Sequence, residues 1–356
     1  MIKIEASLYS PEKMFLIFSI FYGLSILFIT PPFQVPDEFN HYYRILQISE
    51  GKFIPEKNAQ KVLGGRIPKN AVFNDTIFAG LPFHPENKVK FYDTVSYLND
   101  RINNKEKIFV EFPNTAIHFP LAYFPQLIGI FIGKIFDLSP ILMLFFGRIF
   151  NLAVWVILIY YAIKFCPIKK WLIFLLALTP MSIFQATSLS TDNFTNAVSF
   201  LLLSLILHYS NDDNILTKEK YFILFILTAC LVLAKTAVYF PIIFSFFLIP
   251  AWKTHGKKNL VVSQFLLVLI PLLLVTAWTM TWGTHNPYAG LRESNPAPAE
   301  QLTYIIKNPI LFTKTMLTTI HSNFDFYCHS FIGRLGWLDV SLPRNFPHLY
   351  ILILLT

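Results

Sequence analysis

Charge is scarce in this sequence. Asp, Glu, Lys and Arg make up 14% of its 356 residues, where a soluble domain carries about 25%. A chain so poor in charge cannot cover a water-facing surface on every side. Cysteine is sparse too. Cys166, Cys230 and Cys328 stand far apart, which argues against a disulfide framework or a cysteine-built metal knuckle. The nine histidines include no pair four residues apart and no HExxH, so no zinc site is expected. No GxGxxG or Walker pattern occurs, and the serines lack a GxSxG elbow. Dinucleotide binding, P-loop chemistry and elbow-type serine hydrolysis therefore lose their usual carriers. Gly64-Gly65-Arg66-Ile67-Pro68 reads as a turn rather than a phosphate cradle. There is no internal repeat and no low-complexity tract.

What the sequence has in abundance is apolar side chain. It is 54% hydrophobic and 17% aromatic, with a mean hydropathy of +0.51. Several runs approach the roughly 17–25 residues that cross a bilayer, so the expected fold is an all-α polytopic membrane protein in a single domain, 1–356. The net charge of +8 does not point to nucleic acid. Much of the excess basic charge flanks apolar runs, as membrane orientation requires. The first run, 14–30, has no small-residue cleavage site after it and is expected to stay as a helix.

Lysine placement gives a topology. Lys3 and Lys13 put the N-terminus in the cytoplasm, and the first run exits to the outside. Residues 31–117 are polar and mixed, far longer than an ordinary connection, and long loops are usually functional. The apolar stretch 118–136 contains Pro120 and Pro125 and is read as a helix at the outer interface. The next run, 141–163, then ends at Lys164, Lys169 and Lys170 on the cytoplasmic side. Further spans are expected at 171–186, 194–209, 221–234, 236–252 and 260–282, with a charged inner turn at 210–220. Lys253, Lys257 and Lys258 mark another inner turn. Segments 31–140 and 283–345 then share the outer face, the second with a helix near 300–320. Residues 346–356 begin a span too short to cross, as if the C-terminal spans were missing.

A few charges stand out against this background. Asp37 and Glu38 follow Pro36 where the first run leaves the membrane. Pro36 suits the first position of a helix, with both acids in its first turn and Ile45, Leu46 and Ile48 on a side that lies on the membrane. The acids are either a catalytic pair or a helix start favoured by the dipole, worth about 0.3–1 kcal/mol each. Arg148 lies inside a run, a position costing about 2.5–3.5 kcal/mol. It either contacts a neighbouring helix, or binds an anionic headgroup or stabilises the acidic pair. Lys235 sits at an outer boundary, as a snorkelling lysine or as a ligand for a lipid phosphate. Asp192 is a helix N-cap or part of a site.

Several motifs carry a resemblance when taken together and in order. They are Pro31-Pro32-Phe33-Gln34-Val35-Pro36-Asp37-Glu38, His41-Tyr42-Tyr43-Arg44, Gly64-Gly65-Arg66-Ile67-Pro68 and Phe119-Pro120-Leu121-Ala122-Tyr123-Phe124-Pro125-Gln126. Gly147-Arg148, Ser188-Leu189-Ser190-Thr191-Asp192, Ala234-Lys235 and Gly333-Arg334-Leu335-Gly336-Trp337-Leu338-Asp339 follow. The set resembles a family of bacterial predicted membrane proteins of unknown function. That family looks like a branch of the GT-C glycosyltransferases, whose relatives include protein mannosyltransferases and the aminoarabinose transferase of lipid A. The resemblance implies a GT-C-like helix bundle with interfacial helices in its first outer loop. It also implies transfer from a polyprenyl-phosphate sugar on the outer face. Asp37 and Glu38 match the acidic pair of that family by position, and Asp192 resembles its second acidic position. Lys235 has no counterpart.

The resulting expectation is a bacterial inner-membrane glycosyltransferase. Asp37 acts as base and Glu38 orients it or the acceptor, which is a glycan, glycolipid or protein. Arg148, Asp192 and Lys235 bind substrate. A divalent metal is compatible with this scheme but not demanded. The alternatives are a flippase or exporter of lipid-linked glycans, or a non-catalytic envelope scaffold.

Overall fold

Prolines set several of the helix boundaries among the described residues. The structure, a computed structural model, describes residues 9–74, 76–103, 105–254, 257–282 and 297–356. Lys3 and the 283–296 part of the second expected outer segment lie outside the described residues. Helix α1, Pro11–Ile29, starts with Pro at its first position and stops at Thr30-Pro31-Pro32, where proline disfavours the helical conformation of the residue before it. Helices α4 (Pro140–Phe165) and α6 (Pro180–Ala186) open in the same way, and α3 (Phe124–Ile135) carries Pro125 at its second position. Ser139 caps α4 by accepting a hydrogen bond from the Leu142 amide at 3.3 Å.

Helix α4 is the axle of the bundle. Its 26 residues span about 39 Å at 1.5 Å per residue, more than a hydrocarbon core of about 30 Å. Helix α1 packs along it, with Phe15 and Trp155 rings 5.4 Å apart and Gly23 admitting the Leu152 side chain. Helix α3 lies against its first half. A Cβ at Gly129 would sit 2.4 Å from the Phe146 carbonyl, so only glycine permits that approach. Helix α7, Asp192–Asn211, packs against it as well.

Three expected spans differ from the observed elements. The run 171–186 is two helices, α5 (Lys170–Ala177) and α6, broken at Leu178-Thr179-Pro180 because proline cannot continue the first. Helix α8, Lys218–Tyr239, runs past its expected end and kinks at Lys235 (φ −152°, ψ 78°). Beyond it, Phe240–Leu248 and Ala251–Thr254 form 3-10 turns in place of the expected span 236–252. That segment returns to the far end of α7, where buried Lys253 donates to the carbonyls of Tyr209 (2.7 Å) and Ser210 (2.9 Å). A cation over the last carbonyls of a helix is favoured by the dipole. Helix α9, Lys257–Trp282, follows. Then come α10 (Pro298–Lys307), α11 (Pro309–Ser322), α12 (Phe324–Gly333) and α13 (Asn345–Leu355). Among the described residues three segments are long and apolar enough to cross a membrane: Pro11–Ile29, Pro140–Phe165 and Gln264–Thr281.

The segment after α1 folds into its own layer at one end of the bundle. Its centre is α2, Glu38–Ser49, whose residues from His41 to Ser49 are all buried. The expectation that Ile45, Leu46 and Ile48 lie on the membrane is corrected: they pack under Phe33, Phe73, Phe78 and Phe112. A three-stranded antiparallel sheet covers α2, with β1 (Glu56–Lys57), β2 (Leu63–Pro68) and β3 (Lys107–Glu111) in that order. Gly64-Gly65-Arg66-Ile67-Pro68 is therefore strand and not turn. Its glycines serve close approach: a Cβ on Gly65 would meet the Gln47 amide at 2.5 Å. An isolated glycine pair reads as a turn from local propensity, and here tertiary crowding overrides that.

Candidate functional site

The backbone between α1 and α2 separates the two neighbouring acids. Asp37 holds a left-handed conformation (φ 60°, ψ 8°) at the N-cap of α2, and its side chain makes no capping bond. Aspartate tolerates that region better than most side chains. The helix thus begins at Glu38, two residues later than Pro36 suggests, and Asp37 turns outward while Glu38 turns in.

Glu38 is fully buried and fully engaged. Its carboxylate takes a bidentate pair from Arg148, Nε to Oε1 at 2.8 Å and Nη2 to Oε2 at 2.5 Å. It also accepts the amides of Phe33 (2.8 Å) and Leu189 (3.1 Å). Arg148, 0% exposed, donates further to the carbonyls of Thr30 and Pro31, each at 2.9 Å. Four of its five N–H groups are accounted for by these bonds. A forked guanidinium matched to a carboxylate is a strong, directional contact. It fastens the exit of α1, the start of α2, helix α4 and the loop before α7 at one point. Glu38 has no oxygen turned to a cavity, and Arg148 does not reach a surface where a headgroup could meet it.

The loop Thr187–Thr191 is the other half of this joint. All five residues are buried. Asn151 donates to the carbonyls of Ser188 and Ser190, and Gln126 to those of Leu189 and Ser190. That network delivers Asp192 to the first turn of α7.

Asp37, Asp192 and Lys235 line one cavity of about 380 Å³, together with His41, Asn114 and His118. Asp192 and Lys235 form an ion pair across its wall, with side chains 33% and 27% exposed. The kink in α8 falls at Lys235 itself. Asp37 is exposed to this cavity, yet partial burial raises its carboxyl above the ordinary value. The Asn114 hydrogen bond opposes the rise, the Asp192 charge adds to it and Lys235 opposes it. Asn40 donates to the Asn114 carbonyl oxygen at 2.8 Å, which leaves the Asn114 amide N–H groups to donate to Asp37. His41 bonds Tyr123 Oη through Nδ1 at 2.9 Å. Burial, then the neighbouring His118, push its imidazole down to about 3, and burial with Lys235 pushes His118 to about 4. Both rings are neutral near pH 7.

The cavity has a roof from the distant C-terminal segment. A two-stranded hairpin, β4 (Arg334–Leu335) paired with β5 (Val340–Ser341), places Gly336 and Leu338 in its lining. Gly336 has φ +62°, and a Cβ there would sit 2.3 Å from Asp339 Oδ1. Trp337 donates from Nε1 to the Phe33 carbonyl at 3.4 Å and lies 5.2 Å from the Phe83 ring. A second, apolar groove of about 520 Å³ lies between the ends of α1 and α4, lined by Phe28, Pro31, Phe145 and Ile149 among others. It holds no titratable group, so it offers no proton chemistry.

Of the five site residues expected from sequence, the fold brings Asp37, Asp192 and Lys235 together. It sets Glu38 and Arg148 behind them as a joint. Sequence reasoning passed over Asn114, His118 and Gly336. His41 and Gly336 stand inside motifs that carry the resemblance, so a signal was present for them. Asn114 offers none, since its role depends on the fold of the whole 31–117 segment.

No curated protein matches this chain, and no solved structure does. Residues 20–356 match the family described as predicted membrane protein DUF2142. The match runs from within α1 through the joint and cavity to the last residue, and the chain belongs to that family of membrane proteins of unknown function.

Proposed function

We propose that this chain is a membrane glycosyltransferase of the GT-C kind. It would transfer a sugar from a polyprenyl-phosphate donor to a cell-envelope glycan, glycolipid or protein. The cavity would face the outside of a bacterial inner membrane, with the N-terminus in the cytoplasm. The lysines at 164, 169, 170, 253, 257 and 258 support that orientation. The observation that carries the reading is the meeting of Asp37, Asp192 and Lys235 on one cavity from three distant parts of the chain.

In this scheme Asp37 accepts the proton of the acceptor hydroxyl while that oxygen forms a bond to the anomeric carbon. The bond from that carbon to the phosphate oxygen breaks, and its electron pair leaves with the lipid phosphate. That leaving group is already a stable anion, so it needs charge stabilisation rather than a proton. Lys235 is the cation on hand, held in place by Asp192. Glu38 and Arg148 have no part in the transfer itself. They hold the Pro31–Asp37 turn that aims Asp37.

The test is transfer in membranes of a deletion strain carrying Asp37→Asn, read as the surface glycan analysed sugar by sugar. A positioned general base contributes about 10²–10⁴-fold, so transfer should fall by about that factor with normal protein level. The base must be ionised to work, and its raised pKa means that activity is lost on acidification at a higher pH than an ordinary aspartate would set. Wild-type glycan from Asp37→Asn would sink the assignment. Loss of a whole polymer rather than one sugar would favour export.

A further inference from the structure

The hairpin that roofs the cavity hangs from two helices, α12 on one side and α13 on the other. Those two helices pack against each other, and three donor side chains meet between them. Asp325 and His329 stand one turn apart on α12, and His348 lies in the first turn of α13. Asp325 Oδ1 is 3.6 Å from His329 Nε2 and 3.5 Å from His348 Nε2. The three donor atoms lie within 4.8 Å of one another.

These separations are too long for hydrogen bonds, which close at about 2.7–3.2 Å. They suit three ligands around one ion. Bonds of about 2.0–2.1 Å to zinc place tetrahedral ligands about 3.3 Å apart. His329 supplies a second, independent sign. Its side chain is 12% exposed, and its Nε2 is buried with no hydrogen-bond partner. Buried polar nitrogens are rarely left unpaired, and each such case asks for a missing partner. The rings of His329 and His348 stand at 83° to each other with centroids 5.3 Å apart, so they do not stack. Asp325 is 78% exposed and His348 54%, which leaves the fourth position open to water.

We propose that Asp325, His329 and His348 bind a divalent first-row metal ion, Zn²⁺ by preference, as a clamp between α12 and α13. Two imidazoles and a carboxylate are a donor set that zinc accepts. The ion would tie together the two stems of the hairpin and so hold Gly336 and Leu338 over the cavity. Its role is structural. It lies outside the cavity lining, and the site stands whether or not the chain transfers sugars.

The experiment uses the full chain in detergent, purified on a tag without histidine, stripped with chelator and dialysed against Zn²⁺ alone. Metal content should saturate near one ion per chain. His348→Ala should weaken binding by about 10–100-fold or more, a range that even outer partners of a metal ligand can command. Asp325→Asn keeps the side-chain shape, guards against a folding defect and should also weaken it. Zn²⁺ should raise the melting temperature of the wild type and not that of His348→Ala. Co²⁺ in place of Zn²⁺ should show the visible absorption of a tetrahedral centre. No saturable binding by the wild type would overturn the proposal. Equal binding by the wild type and both variants would do the same, as an adventitious ion only.

Discussion

Asp37 and Glu38 are adjacent in the chain, yet one positive φ value sends them to opposite environments. Glu38 sits behind the cavity at 0% exposure, paired with Arg148 at 0%. Pulling two charges out of water is costly, and such a pair holds only while both partners remain. Glu38→Gln leaves the guanidinium buried without its counter-charge. We expect a loss of about 3–5 kcal/mol, read as a lower melting temperature in detergent and a lower protein level. A melting temperature like that of the wild type would mean that the joint is not under load. This differs from the expectation that Glu38 orients a reacting group, and the two are separable: a joint residue fails in the melt, an orienting residue fails only in transfer. Asp37→Asn should show the reverse pattern, because an exposed carboxyl at the cavity supports no buried partner.

At the scale of elements, proline and glycine do different work. Proline opens α1, α4 and α6, stands second in α3 and breaks the run 171–186, and these effects follow from its fixed φ and missing N–H. Glycine marks where helices or strands come closest. Helix α3 has only 12 residues, about 18 Å, too short to cross alone, and it is held by backbone approach to α4. Gly129→Ala would drive a Cβ to within 2.4 Å of the Phe146 carbonyl. We expect a cost of about 1–3 kcal/mol, the usual range for overpacking, measured as a drop in melting temperature. Gly80→Ala is the control, since its nearest neighbour would be the Asn87 side chain at 3.6 Å, an ordinary contact. Equal effects of the two substitutions would contradict the close-packing argument.

For the whole molecule, the proposed orientation is open to direct measurement. In a cysteine-free background, Asn99→Cys should react with an impermeant thiol reagent in intact spheroplasts. Asp213→Cys, in the charged turn between α7 and α8, should react only after lysis. The opposite pattern would invert the chain and place the cavity on the cytoplasmic face. Ser294, the natural probe for the second outer segment, lies outside the described residues. Much of this architecture was legible beforehand. Apolar runs mark the elements because hydrocarbon tolerates few charges, and prolines mark their ends because the backbone rule is local. The sequence by itself therefore determined a helical membrane protein and its short list of unusual charges, but not the start of α2 at Glu38 or the second helix start at Pro180. The tertiary structure alone decided which of those charges meet. Arg148 reaches Glu38 across 110 residues, and Asp192 reaches Lys235 across the α7–α8 hairpin. Gly64 and Gly65 become strand because α2 and β3 crowd them. Asp325 and His348 face each other because a hairpin folds two helices together. None of these pairings has a sequence period, since they depend on how helices pack in space and not on the spacing of residues along the chain.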